Sequence, residues 1–127
     1  MRVHHENDKS VNTIDNGGIL QCKVHTEAVG AQPQFLFGFG SVGTGNGQFN
    51  LARSIAIDPA DDVYVTEFHS PNRIQKFTSA GGFISQWSPP SGTAEGVAVG
   101  PSGNVYVANT TSNRILKYTN TGTLITQ

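Results

Sequence analysis

Seven side chains in this sequence have the chemistry for a binding or catalytic site. Guanidinium groups bind carboxylates and phosphates through paired hydrogen bonds. Carboxylate and imidazole groups exchange protons with a substrate or hold a metal ion. The candidates all lie at or next to a loop between short apolar runs, and they are Arg53, Glu67, His69, Arg73, Glu95, Asn109 and Arg114. Each of them also has a purely structural explanation.

Arg73 and Glu67 stand on either side of one short loop. We expect an ion pair that closes this loop in preference to a clamp for a ligand. Arg114 recurs 41 residues after Arg73, but Asn109 takes the place of the acid. An amide offers Arg114 only a neutral hydrogen bond, which is weaker than a charge-assisted one.

Arg53 and Glu95 are 42 residues apart, at equivalent places in two neighbouring repeats. Both precede a predicted strand, so side chains of opposite charge should lie near each other. We expect an exposed ion pair between the repeats, and the alternative is a contact with a polar ligand.

The sequence predicts no metal site. His69 is a single imidazole on a loop, without a second histidine or a carboxylate at ligand spacing. Residues 22–25 (Cys-Lys-Val-His) have the outline of half a zinc site without the other half, and residues 4–5 (His-His) belong to a polar tail. We expect the aspartates of residues 58–62 to serve a turn, with calcium binding as the alternative, because the next repeat has glycine and asparagine there.

The glycine-rich segment 38–47 is expected to connect two sheets and to bind no phosphate. A dinucleotide-binding loop opens a helix, and a P-loop ends in Gly-Lys-Ser or Gly-Lys-Thr. Here the segment leads into residues 47–50 (Gly-Gln-Phe-Asn) and another strand. No nucleophile elbow, zinc-protease motif or kinase motif occurs in the sequence. The prediction is a protein without a cofactor and without catalytic residues.

An internal repeat supplies the elements that position these side chains. Residues 55–65 recur 42 positions later as residues 97–107, and residues 72–77 recur 41 positions later as residues 113–118. Each unit contains four short runs rich in Val, Ile, Tyr and Phe, separated by turn signals. The strands predicted for the first unit, a to d, are 54–58, 62–67, 73–78 and 83–87, with equivalents that begin at Gly96, Asn104, Arg114 and Thr123.

Both faces of each sheet should be covered, because residues 63–65 (Val-Tyr-Val) are apolar on both sides. Four-stranded sheets that repeat about every 40 residues and cover one another are typical of β-propeller blades. We therefore predict an all-β fold, a partial β-propeller with two four-stranded antiparallel blades, at about residues 47–88 and 89–127. The outer strand or strands of a third blade precede them, with one at residues 35–39. Residues 1–33 are polar and are expected to be disordered or the remnant of a preceding blade.

These repeats resemble the NHL repeat, a blade type found mostly in six-bladed propellers. The resemblance extends over about residues 35–127. It lies in residues 37–40 and 47–50, in Ile55-Ala56-Ile57-Asp58, in Val63-Tyr64-Val65 and in Arg73-Ile74-Gln75-Lys76-Phe77. Asn72 and Asn113 stand where the family often has histidine, and Glu67 and Asn109 where it often has aspartate. The resemblance implies that ligands bind near the mouth of the central channel, where the b–c and d–a loops carry the seven candidates.

The charge balance predicts a protein or glycan ligand rather than nucleic acid. The chain has 8 Lys and Arg against 9 Asp and Glu, and its net charge of -1 gives no field that attracts a polyanion. No stretch approaches the roughly 18 apolar residues of a membrane span. No secretory signal is recognisable, so the localisation is unknown, with the cytoplasm as the default.

The sequence thus predicts a non-catalytic binding or scaffold module that is a fragment of a longer propeller. The alternative is part of a propeller enzyme, a lyase or hydrolase with a metal-dependent site at the channel mouth built from His69, Glu67 and Glu95. Two blades would leave apolar outer faces open. Copies of the chain could therefore self-associate through these faces or assemble into a ring.

Overall fold

The structure is a computed structural model that describes residues 12–14, 20–22 and 32–126. The chain divides into two units, residues 1–36 and residues 37–127. In the first unit, β1 (Asn12–Ile14) pairs antiparallel with β2 (Leu20–Cys22). The predictions for residues 4–5 and for the side chains of residues 22–25 lie outside what the structure describes, as does most of the segment 1–33.

The prediction of a strand at residues 35–39 is wrong. Residues 32–40 form no strand. A strand needs a ladder of backbone hydrogen bonds to a neighbour, whereas Phe39 is held by ring packing, with its centroid 5.1 Å from that of Phe77. The smaller sheet of the second unit comes next in the chain. It consists of β3 (Ser41–Val42) paired parallel with β4 (Gln48–Phe49).

The first blade is a four-stranded antiparallel meander. Its strands are β5 (Ala52–Ile57), β6 (Val63–Glu67), β7 (Arg73–Phe77) and β8 (Phe83–Trp87). The second blade repeats this order with β9 (Ala94–Val99), β10 (Val105–Asn109), β11 (Arg114–Tyr118) and β12 (Leu124–Thr126). A short 3-10 helix, Thr110–Ser112, joins β10 to β11. The all-β prediction is confirmed, and the predicted strands of both blades agree with the structure to within two residues.

The two turns at one edge of each blade need backbone conformations that favour glycine. Gly81 and Gly122 have φ of 91° and 94° in the turns between the third and fourth strands. Between the first and second strands, Gly103 has φ of 89° and Asp61 takes the equivalent place at 70°. Aspartate tolerates this left-handed region better than most side chains. The turn chemistry expected for residues 58–62 is therefore confirmed.

The main core lies between the blades. Tyr64 and Ile74 of the first blade pack against the inner face of the second blade. The buried side chains of that inner face are Val105, Val107, Leu116 and Tyr118. A smaller cluster covers part of the other face of the first blade, where Phe77 packs with Val63, Val65, Phe49 and Phe83. Removing this apolar area from water is the main force that holds the sheets face to face.

Each blade has one face that the described residues leave open. On the first blade Ile55 is 61% exposed and Ile57 is 58% exposed. On the second blade Ile115 is 58% exposed and Tyr106 is also exposed. Apolar outer faces were expected from the sequence, since a blade normally packs against a neighbour on each side. In the described part of the chain, no helix has the length and apolar character needed to cross a membrane.

Candidate functional site

A buried ion pair joins the second and third strands of the first blade. Glu67 and Arg73 face each other as a register pair of β6 and β7. Arg73 Nε donates a hydrogen bond to Glu67 Oε2 at 2.6 Å, and both side chains are almost fully buried. Gln75 Nε2 donates to the same carboxylate oxygen at 2.6 Å. The pair expected from the sequence is therefore present.

This ion pair is the centre of a hydrogen-bond network that holds residues 43–50, a stretch that overlaps the glycine-rich segment 38–47. The Arg73 guanidinium donates to the carbonyls of Gly45 and Gln48, both at 2.9 Å. Glu67 Oε1 accepts from the Asn50 N–H at 2.9 Å. The side chain of Gln75 donates to the Gln48 carbonyl and accepts from Gly47 N–H. The end of the glycine-rich segment 38–47 is thus fixed to the first blade, and the segment leads into β4, as the sequence predicted.

The second blade has different residues at the positions that form this network. Asn109 faces Arg114 as the equivalent register pair, but its buried amide donates to the Ser91 carbonyl. Leu116 replaces Gln75 at the equivalent place, and Arg114 is exposed. Arg114 thus faces an amide where Arg73 faces a carboxylate, and it stays in contact with water. Asn109 and Arg114 therefore occupy the same positions as Glu67 and Arg73 in a different electrostatic setting.

Exposed polar groups gather at the loop edge where the two blades meet. Arg53 NH2 lies 3.3 Å from Glu95 Oε2, and the Arg53 side chain is half exposed. The Arg53 guanidinium also stacks over the ring of Phe68, with Cζ 4.8 Å from the ring centroid. The imidazole of exposed His69 meets the Phe68 ring edge-on at 5.2 Å between centroids. Thr110 Oγ1 donates to Glu95 Oε1, which completes what we call the Arg53 patch: Arg53, Phe68, His69, Glu95 and Thr110.

Two bulges place the ion pair of this patch. The register of β5 shifts between Ala52 and Ser54, so Arg53 is the extra residue that faces no partner in β6. The register of β9 shifts in the same way around Glu95. A bulge turns the extra side chain out of the regular alternation. The repeat thus turns one charge out of each blade, and the expected pair between Arg53 and Glu95 is confirmed.

An open cleft of about 460 Å³ lies beside the patch, on the open face of the first blade. Its lining is mainly apolar and comes from Phe37, Phe39, Phe49, Ile55 and Val65, with Arg53 at its rim. A smaller cleft of about 300 Å³ lies at the loop edge of the second blade, lined by residues 108–110 and 113–115. The first cleft continues the exposed apolar face of β5 rather than forming an enclosed pocket.

A second polar cluster lies at the opposite edge of the first blade. Asp58 Oδ1 accepts from the N–H groups of Ala60 and Asp62, and Oδ2 accepts from the Tyr64 hydroxyl at 2.9 Å. Burial alone would raise the pKa of Asp58, but these hydrogen bonds together with Lys76 hold it below its ordinary value. The Lys76 ammonium lies 3.1 Å from an Asp62 carboxylate oxygen. These groups are hydrogen-bonded or ion-paired with one another, and they stabilise the turn.

The sequence missed three contributors to these clusters. Gln75 breaks the apolar pattern that Leu116 keeps in the second repeat, and this difference was the available signal for a buried polar group. Phe68 and Thr110 carry no signal of their own, since only the bulges bring them to Arg53 and Glu95. Within the described residues, no three His, Cys, Asp or Glu side chains come close enough to hold a metal ion.

Comparison with known proteins supports the repeat assignment. Residues 92–118, which span β9 to β11, match the family model described as the NHL repeat. No curated protein matches the chain. The matched residues include Glu95, Asn109 and Arg114, and the first blade has the same strand order and the same bulge. The chain therefore carries an NHL repeat at residues 92–118, within a partial β-propeller.

Proposed function

We propose that this chain is a non-catalytic binding module and that the Arg53 patch is its contact surface for a protein ligand. The observation that carries the proposal is the exposure of Arg53 together with its two contacts. Its guanidinium is half exposed and is held between the Phe68 ring and the Glu95 carboxylate. An arginine already held in place loses little conformational entropy when it binds a partner. Arginine and aromatic side chains also dominate the binding energy of protein interfaces.

The hydrogen-bond partners of the other charged candidates favour binding over catalysis. Glu67 is fully buried and accepts hydrogen bonds from Arg73 and Gln75, so its carboxylate does not reach the loop edge. Glu95 is engaged by Arg53 and Thr110. The enzyme alternative, a lyase or hydrolase with a metal at the channel mouth, would need these two carboxylates together with His69. Their present partners favour a role in shaping a surface.

A display screen tests the proposal. The full chain is immobilised and screened against a random peptide library, and in parallel against a glycan array. We expect peptides with acidic and aromatic residues, whose affinity falls at least tenfold in Arg53→Ala because a stacked, charge-assisted contact is lost. Lys117→Ala is the matched control, since Lys117 stacks on Tyr106 on a blade face away from the loops, at 5.6 Å.

The outcomes separate the alternatives. Peptide binding that Arg53→Ala leaves unchanged would move the contact away from the patch. Binding only on the glycan array, with the same dependence on Arg53, would replace the protein ligand by a glycan. Selection of no binder from either library would contradict the proposal.

A further inference from the structure

The open face of the second blade repeats most of the buried face of the first blade, with Gly96 and Ala108 in place of Ser54 and Thr66. Tyr64, Ile74 and Lys76 of the first blade are buried under the second blade. Their equivalents on the second blade point away from the first blade, and Tyr106 and Ile115 are exposed. The equivalent pairs are Ala56 and Ala98, Tyr64 and Tyr106, Ile74 and Ile115, and Lys76 and Lys117.

The buried copy of this face shows what it binds. Lys76 Nζ donates to the carbonyl oxygen of Asn120, in the β11–β12 turn of the second blade, at 3.2 Å. The Tyr64 hydroxyl lies 3.4 Å from the same oxygen. Tyr106 and Lys117 offer the same hydroxyl and ammonium on the open face. The equivalent of Asn120 in the first blade is Ser79, an exposed turn residue.

The open face of the first blade supplies the other half of this interface. Val97 and Val99 of the second blade pack into the core between the blades. Their equivalents on the first blade are Ile55 and Ile57, which are exposed. Phe39 covers the outer part of this face, over Phe77, and Ile55 and Ile57 of β5 stay exposed among the described residues. The described part of the chain thus presents both complementary halves of an interface that it already forms once internally.

A loop contact follows the same pattern. The Asn72 side chain donates to the Gly92 carbonyl and accepts from the Ala94 N–H at 2.9 Å, which ties the first blade to the start of β9. Asn113 takes the equivalent position on the second blade and is exposed. Its targets on another first blade would be the backbone of Asn50 and Ala52.

The charges of Arg53 and Glu95 indicate which two blades of different copies can pack together. Within one chain, Arg53 of the first blade pairs with Glu95 of the second. A second blade that docks onto the first blade of another chain would bring its Glu95 next to that chain's Arg53. Opposite charges meet again, whereas a contact between two second blades would bring two Glu95 side chains together. The pairing of first blade with second blade is therefore the favourable one.

We propose that the open face of the second blade, formed by Ala98, Tyr106, Ile115 and Lys117, binds the first blade of a second copy of this chain. The contact is head-to-tail and reproduces the packing between the two blades of one chain. Tyr106 and Lys117 hold the Ser79 carbonyl of the other copy, and Ile115 packs against its Ile55 and Ile57. A head-to-tail contact closes into a ring or continues as a chain of molecules, depending on the rotation per blade.

Single charges on each face test the contact. Light scattering of the full chain, measured over a range of concentrations, should show association that increases with concentration. Ile115→Asp and Ile55→Asp should each remain monomeric, because each buries a charge in the docked face. Ile84→Asp is the matched control: it introduces the same charge at an exposed isoleucine of the outer strand β8 and should associate like the original chain. Circular dichroism and urea unfolding check that every variant keeps the fold.

Mixing the two variants tests the direction of the contact. Ile115→Asp keeps an intact first blade, and Ile55→Asp keeps an intact second-blade face. An equimolar mixture should therefore form a 1:1 dimer and nothing larger. Tyr106→Phe, which removes only the hydroxyl, should weaken self-association of the chain by roughly three- to tenfold.

Four results would overturn the proposal. They are a chain that stays monomeric at the highest concentration, folded Ile115→Asp that associates normally, Ile55→Asp that still dimerises alone, and a mixture that remains monomeric. None of these variants changes a residue of the Arg53 patch, so failure here leaves the proposed ligand binding standing.

Discussion

The ring of Phe39 lies directly against Gly81. A Cβ atom at Gly81 would come within 2.7 Å of the ring. Trp87 lies in the same way against Gly122, where a Cβ atom would come within 2.6 Å of the indole. Trp87 ends the outer strand of the first blade and packs on the second. Phe39 therefore occupies the position on the first blade that Trp87 occupies on the second blade. In a propeller, the outer strand of the preceding blade would end at this position.

This contact predicts that Gly81→Ala destabilises the fold by about 2–5 kcal/mol. The φ of 91° strains any side chain by about 1–2 kcal/mol, and the methyl group adds overpacking against Phe39 of about 1–3 kcal/mol. Gly103→Ala is the control, because Gly103 has φ of 89° and open space around it. Urea unfolding should show the larger loss for Gly81→Ala. Equal losses would mean that Phe39 does not press on the turn.

The buried Glu67–Arg73 pair should be costly to break. Glu67→Gln leaves the Arg73 charge buried without its carboxylate, and we expect a loss of about 3–5 kcal/mol in the free energy of unfolding. Arg114→Met, at the place equivalent to Arg73, should cost less than about 1 kcal/mol since that residue is exposed. Denaturant titration of both variants measures the two losses in the free energy of unfolding. A loss below about 1 kcal/mol in Glu67→Gln would contradict the assignment of this pair as the anchor of segment 43–50.

The Arg53–Glu95 pair should show weak coupling. Its atoms are 3.3 Å apart and the arginine is half exposed, so water and salt screen the attraction. A double-mutant cycle with Arg53→Ala and Glu95→Ala should give about 0.2–1 kcal/mol in the free energy of unfolding. The coupling should shrink in 1 M salt. Zero coupling at low salt would remove the pair as a contributor to the packing of the blades.

Stability should fall in acid because of Asp58. Burial by itself would raise the pKa of this carboxyl, but hydrogen bonds from Asp62, Tyr64 and Ala60 and the charge of Lys76 bring it below its ordinary value. A carboxylate with a lowered folded-state pKa contributes stability that is present above the unfolded-state pKa. That stability is lost as the pH falls through the folded-state value. Urea unfolding should therefore show stability that declines as the pH falls through the acid range, to values below the ordinary pKa of an aspartate.

A variant isolates this effect. Asp58→Asn should be less stable than the original chain at neutral pH and should show a flatter pH profile in the acid range. Asp61→Asn serves as the control, because Asp61 is an exposed residue of the same turn at φ 70°, which asparagine tolerates. Identical acid profiles for Asp58→Asn and the original chain would assign the loss to other carboxylates.

The strands of both blades could be predicted from the sequence because their signals are local and occur twice. Apolar runs such as Val63-Tyr64-Val65, separated by turn residues at a period of 41 or 42, define four strands per unit whatever lies around them. The ion pair of Glu67 and Arg73 was predictable for the same reason, since one short loop separates them. The strand expected at residues 35–39 failed because an apolar run does not say whether a neighbouring strand is there to pair with it.

Tertiary structure alone decided which side chains remain accessible. Tyr64 and Tyr106 occupy the same place in the repeat, yet the second blade buries the first tyrosine and leaves the other exposed. Likewise, one-residue bulges turn Arg53 and Glu95 out of their strands, and the alternation of a sequence carries no mark of such a shift. The sequence by itself determined the elements and their order, because backbone preferences and apolar periodicity act over a few residues. Burial and register depend on what packs against each face, and that is a property of the folded chain.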